Sequence, residues 1–460
     1  MGYFIATSIL AISASLVCGG ITAIGAVYGR EPAHISNSSE SITQVLLAQS
    51  NINNAAAKNN DLLEWSSDEI RLLKSLSLTQ GSLRKRTQGN SYVSNKNAEA
   101  LGHKLFFDKK LSANSQISCA TCHIPDQYFS DGQPNGRGLG SLDRNTLTIV
   151  GAVYQTWMYW DGRRDSLWSQ ALVPLEAPKE MGNNRLSIAR YLSAVYRQDY
   201  VDIFGYFPKL DFKLLPDGAS PSGNTNQKDA WEALSSDQKK NINDIFVNAG
   251  RAIAAYESKV TPAAGRFDDF VDALSSNDRE KAAESLNLSE QRGLKLFISN
   301  KTQCLNCHSS PMFSNYGFHN IGTSKSLDNR TDFGRMLGIH NVVLNEFNCD
   351  SDYASSANQD DCRHLKFGTH SNSNMLSGSF RVPGLRGLTR TAPYMHDGRF
   401  NNLAEVVRFY VEPQPQLLGV PNERPAAGPI SEQDIADLVA FLTSLGGEID
   451  VPAEWLRSPH

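Results

Sequence analysis

The sequence predicts a mainly α-helical fold made of two related units joined by long loops, and three observations predict it. A short pattern is repeated: Gly102-His103-Lys104-Leu105-Phe106 precedes Cys119-x-x-Cys122-His123, and Gly293-Leu294-Lys295-Leu296-Phe297 precedes Cys304-x-x-Cys307-His308. The echo continues downstream, where Phe129-Ser130-Asp131-Gly132 answers Phe313-Ser314-Asn315-Tyr316-Gly317, so the halves read as copies of one unit. Wherever a hydrophobic period is visible it is helical, as in Ile242, Ile245, Phe246, Ala249, Ile253 and Tyr256, while strand-like alternation is scarce.

The 460 residues exceed one ordinary domain and suggest two or three compact units. Hydrophobic residues at 40%, charged residues at 20% and a net charge of −4 describe a globular protein without the basic stripe that nucleic acid requires. Nucleic acid is therefore excluded as a partner.

Taken in order, residues 1–29 come first, and their uncharged, mostly apolar stretch ahead of Arg30 reads as a signal peptide or a membrane anchor. Cys18 invites a lipoprotein reading, but Val17 is bulky for the position before a lipidated Cys. Residues 30–96, rich in Ser, Asn, Gln and Ala, read as a flexible tether. The first unit is expected over 97–270, with a surface loop at 216–228 where Pro, Gly, Ser and Asn cluster. The second is expected over 280–450, and Ser431 should cap a helix carrying Ile435, Leu438, Val439 and Leu442 that stops at Gly446-Gly447. Of the seven cysteines, Cys349 and Cys362 remain after the two motifs and Cys18 are set aside. They are expected to pair, closing a polar excursion in an oxidising compartment and stabilising it by roughly 3 kcal/mol.

Each Cys-x-x-Cys-His motif is a haem c attachment site: two thiols bond the vinyl groups, and the adjacent His reaches the iron. A zinc site built from the two Cys pairs competes, but does not explain why each pair is followed at once by His. Two covalently bound haem c groups are thus expected, on Cys119, Cys122 and His123, and on Cys304, Cys307 and His308. What decides between electron transfer and chemistry is the far side of each iron. Between Ile124 and Cys307 there is no histidine, and Met158 and Met181 are the only thioethers, so the first haem is expected to be open. The second half offers His319, His340, His364, His370, His396, Met312, Met336, Met375, Met395 and Tyr410, among which counting cannot choose.

With these motifs the chain resembles the bacterial di-haem cytochrome c peroxidase and MauG family over residues 97–447. The resemblance is carried further by Arg144-Asn145, Trp160-Asp161-Gly162-Arg163, Gln170-Ala171, Glu180-Met181-Gly182 and Thr391-Ala392-Pro393-Tyr394-Met395-His396-Asp397-Gly398. It implies two cytochrome c-like haem domains, with Trp160 between them as an electron relay. It implies that Gln170, Pro174 and Glu180 line the far side of the first haem, where a carboxylate can take a proton from one peroxide oxygen and return it to the other. It also implies one calcium ion between the haems, at positions matching Asn145, Thr391 and Pro393, and oxygen donors suit calcium.

Two departures from the peroxidase branch stand out. Typical members carry a His in the loop after the first motif, and loop 126–143 here has none. They also supply a Met to the second haem where this chain has Tyr410, and a Tyr ligand is the MauG-like arrangement. A phenolate should favour higher iron oxidation states than a thioether does. Tyr410 is expected on a helix that begins at Asn402, with Glu405 placed as in a capping box.

The expected function is reduction of hydrogen peroxide at the N-terminal haem, with electrons relayed from the C-terminal haem and drawn from a small donor cytochrome c or cupredoxin. The alternative is a MauG-like oxidase that uses peroxide to oxidise residues of a partner protein. A plain electron-transfer cytochrome is the third reading. All three place the protein in the periplasm, exported and either free or tethered to the membrane.

Overall fold

The computed structural model describes residues 62–325, 330–355, 362–368, 373–412, 422–425 and 427–460. The 1–29 segment, Cys18 and the ligand candidate His370 lie outside the described residues. Among the described residues no helix is long and apolar enough to cross a membrane. The fold is mainly helical, and its one named sheet pairs Phe318–His319 antiparallel with Phe380–Arg381.

The sequence repeat is a repeat of helix crossings. In the first half, helix Lys96–Phe107 crosses helix Ser236–Glu257 at Gly102, where a Cβ would lie 1.9 Å from the Ala252 carbonyl oxygen and 3.0 Å from Tyr256 Cβ. In the second, helix Leu288–Ile298 crosses helix Glu432–Ser444 at Gly293, where a Cβ would lie 1.9 Å from the Asp437 oxygen and 2.8 Å from Phe441 Cβ. Only glycine lets two backbones approach this closely. The aromatic that ends each pentapeptide packs beside the same partner position, Phe106 on Tyr256 at 5.0 Å and Phe297 on Phe441 at 5.1 Å between ring centroids.

Local signals start these helices where the sequence suggests. Ser431 caps its helix in a capping box with Asp434, and the helix ends at Ser444, just ahead of Gly446. Asn287 with Glu290 and Ser235 with Gln238 do the same for two of the other crossing helices. One hydrophobic cluster runs from Leu101 to Val260 and takes in Phe347, while another runs from Phe267 to Leu445 and takes in Leu73 and Leu76.

Residues 30–61 of the expected tether also lie outside the described residues, and over 62–96 Leu73 and Leu76 mark a difference from it. Ser66 and Glu69 form a capping box on helix Ser67–Leu76, whose apolar face is buried in the second cluster. The chain then runs to the first half, where Lys85, Gln88 and Asn90 donate side-chain hydrogen bonds to the carbonyls of Ser258, Thr156 and Arg251. Polar composition concealed a short helix whose signal is one Ser-x-x-Glu box and leucines three apart. Segment 216–228 also differs from a surface loop: Ala219 and Ser220 are buried, and Asn224 caps helix Thr225–Glu232.

A buried ion pair and a disulfide add further links. Arg386 meets Asp268 in a buried bidentate pair at 2.6 and 2.9 Å, and the same Asp268 accepts from the Leu78 amide at 2.8 Å. Cys349 and Cys362 are joined in a disulfide, as their isolation in the sequence suggested, with Cα atoms 5.6 Å apart.

Candidate functional site

The two attachment motifs adopt matching geometry. Cys119–Cys122 forms one helical turn, and the amide of His123 closes it on the Cys119 carbonyl at 2.9 Å. Cys304–Asn306 forms a tighter turn, closed by the amide of His308 on Cys304 at 2.9 Å. In each the imidazole Nδ1 meets a carbonyl of the echoed Phe, 3.2 Å to Phe129 for His123 and 2.9 Å to Phe313 for His308. Both Phe residues sit in the left-handed region, at φ of 56° and 52°, which turns the carbonyl toward the ring. Burial holds both imidazoles neutral, lowering His123 and pushing His308 down to about 4. With Nδ1 engaged as donor, Nε2 is the nitrogen left to bind a metal.

The surroundings fit a haem at each motif. A cavity of about 580 Å³ opens beside Cys122 and His123, within the range of cofactor pockets, and Trp160, Gln170, Pro174 and Glu180 line it. A second cavity is lined by Cys304, Cys307, His308 and Tyr410. None of the four motif cysteines is in a disulfide. Cys122 and His123 line the first cavity and Cys304, Cys307 and His308 the second, so each motif presents thiol and imidazole to its cavity, the donor types that covalent haem requires.

Gln170 and Pro174 come together because they lie four residues apart on helix Leu167–Glu176, and so on one face. Ser166 caps that helix, accepting from the Ser169 amide. Glu180 follows in a turn that loop 126–143 grips: the Leu139 amide donates to the Glu180 carbonyl and the Gly140 amide to Lys179, each at 2.9 Å. Gly138 permits the approach, since a Cβ there would lie 2.6 Å from both Glu180 Cα and its carbonyl oxygen. Burial raises the Glu180 carboxyl above its usual range, and the Arg163 guanidinium opposes the rise.

Met181 is buried in the first hydrophobic cluster, while Met158 is buried and also lines the first cavity.

Three cavity residues have no role that the sequence foretold. Tyr159, held at φ 69°, lays its ring 3.5 Å from the Arg163 guanidinium and places its hydroxyl 3.4 Å from Gln170 Nε2. Arg163 itself is anchored on Asp161 at 3.2 Å. Glu257 ends the long helix against the same cavity, and burial pushes its carboxyl up to about 8. Tyr159 and Glu257 belong to no motif, and Arg163 stood at the end of the Trp160-Asp161-Gly162-Arg163 run without a role.

Trp160 is buried and lines both cavities. Its indole nitrogen donates to the Asn145 carbonyl at 3.0 Å, and its ring meets His396 edge-on at 6.4 Å. Asn145, Thr391 and Pro393 each line the second cavity, and Asn145 Nδ2 donates to the Gln133 carbonyl at 2.8 Å.

Among the described candidates for the second iron, only Met312, His319, Met395, His396 and Tyr410 line the second cavity. His340 and Met375 are exposed. His396 stacks on Phe380 with centroids 3.6 Å apart, and His319 is paired with Glu423. Tyr410 lies on helix Leu403–Val411, capped by Asn402 as expected, although Glu405 reaches back to the amide of Asn401 rather than that of Asn402. Burial raises the Tyr410 phenol, and the Cys307 and Cys304 sulfurs beside it add to the rise.

The chain is similar in sequence and fold to known proteins. Residues 96–276 match the family described as di-haem cytochrome c peroxidase. The methylamine utilization protein MauG of Methylophilus methylotrophus is 27% identical over 77% of this chain and 84% of its own length. The cytochrome-c peroxidase IdrP1 of Denitromonas iodatirespirans is 29% identical over 75% of this chain and 80% of its own. Two solved structures share the fold. A MauG-like protein associated with microbial copper homeostasis covers 86% of this chain and 99% of its own at TM-score 0.55 and 22% identity. The diheme peroxidase BthA of Burkholderia thailandensis covers 80% and 88% at TM-score 0.54 and 20% identity. Over residues 96–276 the chain matches the di-haem cytochrome c peroxidase family, the one its paired motifs resemble.

Proposed function

We propose that the protein is a di-haem c-type peroxidase that reduces hydrogen peroxide in the first cavity, with electrons relayed through Trp160 from the second. The observation that carries this reading is that one buried indole lines both cavities. Bound haem supplies iron that takes up peroxide and exchanges single electrons. The overall balance is one peroxide, two electrons and two protons giving two waters. The chain provides the proton path and the electron path. Glu180, its carboxyl raised by burial, accepts the proton of one peroxide oxygen and returns it to the other. Gln170 orients the substrate, Pro174 walls the pocket, and Tyr159 holds the Gln170 amide. Loop 126–143 carries no His, Met, Lys or Cys and is pinned on the Glu180 turn, which supports a first haem open at rest.

A second reading rests on Tyr410. A phenol at the second haem in place of a thioether favours a MauG-like oxidase, which would pass oxidising equivalents to a partner protein rather than take electrons from a small cytochrome or cupredoxin. Asn145, Thr391 and Pro393 would hold one calcium ion between the haems, and the 1–29 segment would direct export to the periplasm.

Steady-state peroxide consumption with a reduced donor cytochrome tests the first reading. Multiple turnovers support it, whereas slow turnover with oxidation of a partner protein supports the second. In either case Glu180→Gln should keep both haems and lower the rate of reaction with peroxide by about 10²–10⁴-fold. An unchanged rate refutes the role.

A further inference from the structure

The Cys349–Cys362 disulfide belongs by sequence to the second half, yet its flanking residues hold the first. The Cys349 amide donates to Asp165 Oδ2 at 2.7 Å, and Asp165 is fully buried. Asn345 Nδ2 donates to Ser169 Oγ at 2.9 Å. Glu346 pairs at 2.9 Å with the buried Arg185, which pairs at 3.0 Å with Glu176. Phe347 joins the first hydrophobic cluster, and the Tyr353 hydroxyl accepts from Asn243 Nδ2 at 2.9 Å. On the far side of the disulfide, His364 meets Trp157 edge-on at 5.0 Å and lies 3.9 Å from the Asp165 carboxylate.

These contacts converge on helix Leu167–Glu176. Asp165 and Ser169 secure its beginning and Glu176 its end, and Gln170 and Pro174 lie between them.

We propose that residues 345–355 and 362–365, closed by the Cys349–Cys362 disulfide, form a positioning clamp that fixes the peroxide-facing helix, so that opening the disulfide loosens the first haem pocket and leaves the second intact. A dithiol reductant opens it, giving up two electrons and two protons to convert the S–S bond to two thiols while itself becoming a disulfide. The thioether bonds of haem c are not reduced by such reagents. The clamp rests on the proposed function only for its effect on turnover.

The test uses the full-length di-haem protein, as wild type before and after dithiol treatment, as the double variant Cys349→Ser with Cys362→Ser, and as Asn345→Ala, which removes a single contact. Amide exchange is followed in residues 165–176 and, as a control, in 288–298, together with the rate at which cyanide binds the first haem and the low-spin spectrum of the second. Exchange in 165–176 should rise by about tenfold on opening the disulfide, and less in Asn345→Ala, with 288–298 unchanged. The cyanide rate should change, the second-haem spectrum should not, and reoxidation should restore the wild-type values. Unchanged exchange in 165–176, or an equal rise in both segments, would overturn the clamp. Wild-type protein that does not consume peroxide would defeat the proposed function, while the exchange result would still decide the clamp.

Discussion

Glu180 is the residue on which the proposed chemistry turns, and its environment predicts its pH behaviour. Burial raises its pKa and Arg163 opposes this. A general base is active as the carboxylate, so the reaction with peroxide should fail as pH falls through the raised pKa, at a higher pH than for an ordinary Glu. Removing the opposing charge in Arg163→Ala raises that pKa further, so the acidic limb of the pH–rate profile should move to higher pH. A limb that stays or moves the other way contradicts the assignment. At the second cavity, Tyr410→Phe should alter the optical spectrum of the second haem and leave the first unchanged, since the phenol stands beside Cys304 and Cys307. These residues differ in how far the sequence disclosed them. The motif cysteines and histidines declare themselves by spacing alone. Gln170 and Glu180 needed a family resemblance, because a lone Gln or Glu carries no chemical signature. Tyr159 and Glu257 needed the fold, because their place in the cavity depends on how distant segments pack.

At the scale of elements, the glycine that opens each pentapeptide repeat is the point where the helix ahead of each motif crosses a later helix of the same half. Gly293→Ala would push a methyl group to within 1.9 Å of a backbone oxygen, which no rotamer change relieves. It should destabilise the protein by about 1–3 kcal/mol or more in denaturant unfolding, as should Gly102→Ala. A neutral effect at either site would mean that the crossing is looser than described. The repeat was legible because helix crossings demand small residues at fixed positions. Helix Ser67–Leu76 was not, since a capping box and two buried leucines are weak signals inside a polar stretch. The clamp on helix Leu167–Glu176 was half legible: its disulfide could be read from the leftover cysteines, but its contacts with Asp165 and Ser169 could not, because they join residues more than 170 positions apart.

Across the whole molecule, duplication has produced two halves with the same attachment geometry and different cavities. Each His is tuned alike, with Nδ1 on a Phe carbonyl and the ring neutral. What differs is the rest of the lining: carboxyl, amide and proline at the first, a phenol among several donors at the second. Trp160 stands where the two cavities meet. Under the proposed function the irons would be unequal, one open to peroxide and one fully ligated. The most direct test is the paramagnetic-resonance spectrum of the oxidised resting protein. One high-spin signal from a five-coordinate first haem and one low-spin signal from the second is the predicted result. Two low-spin signals and no high-spin iron would contradict it.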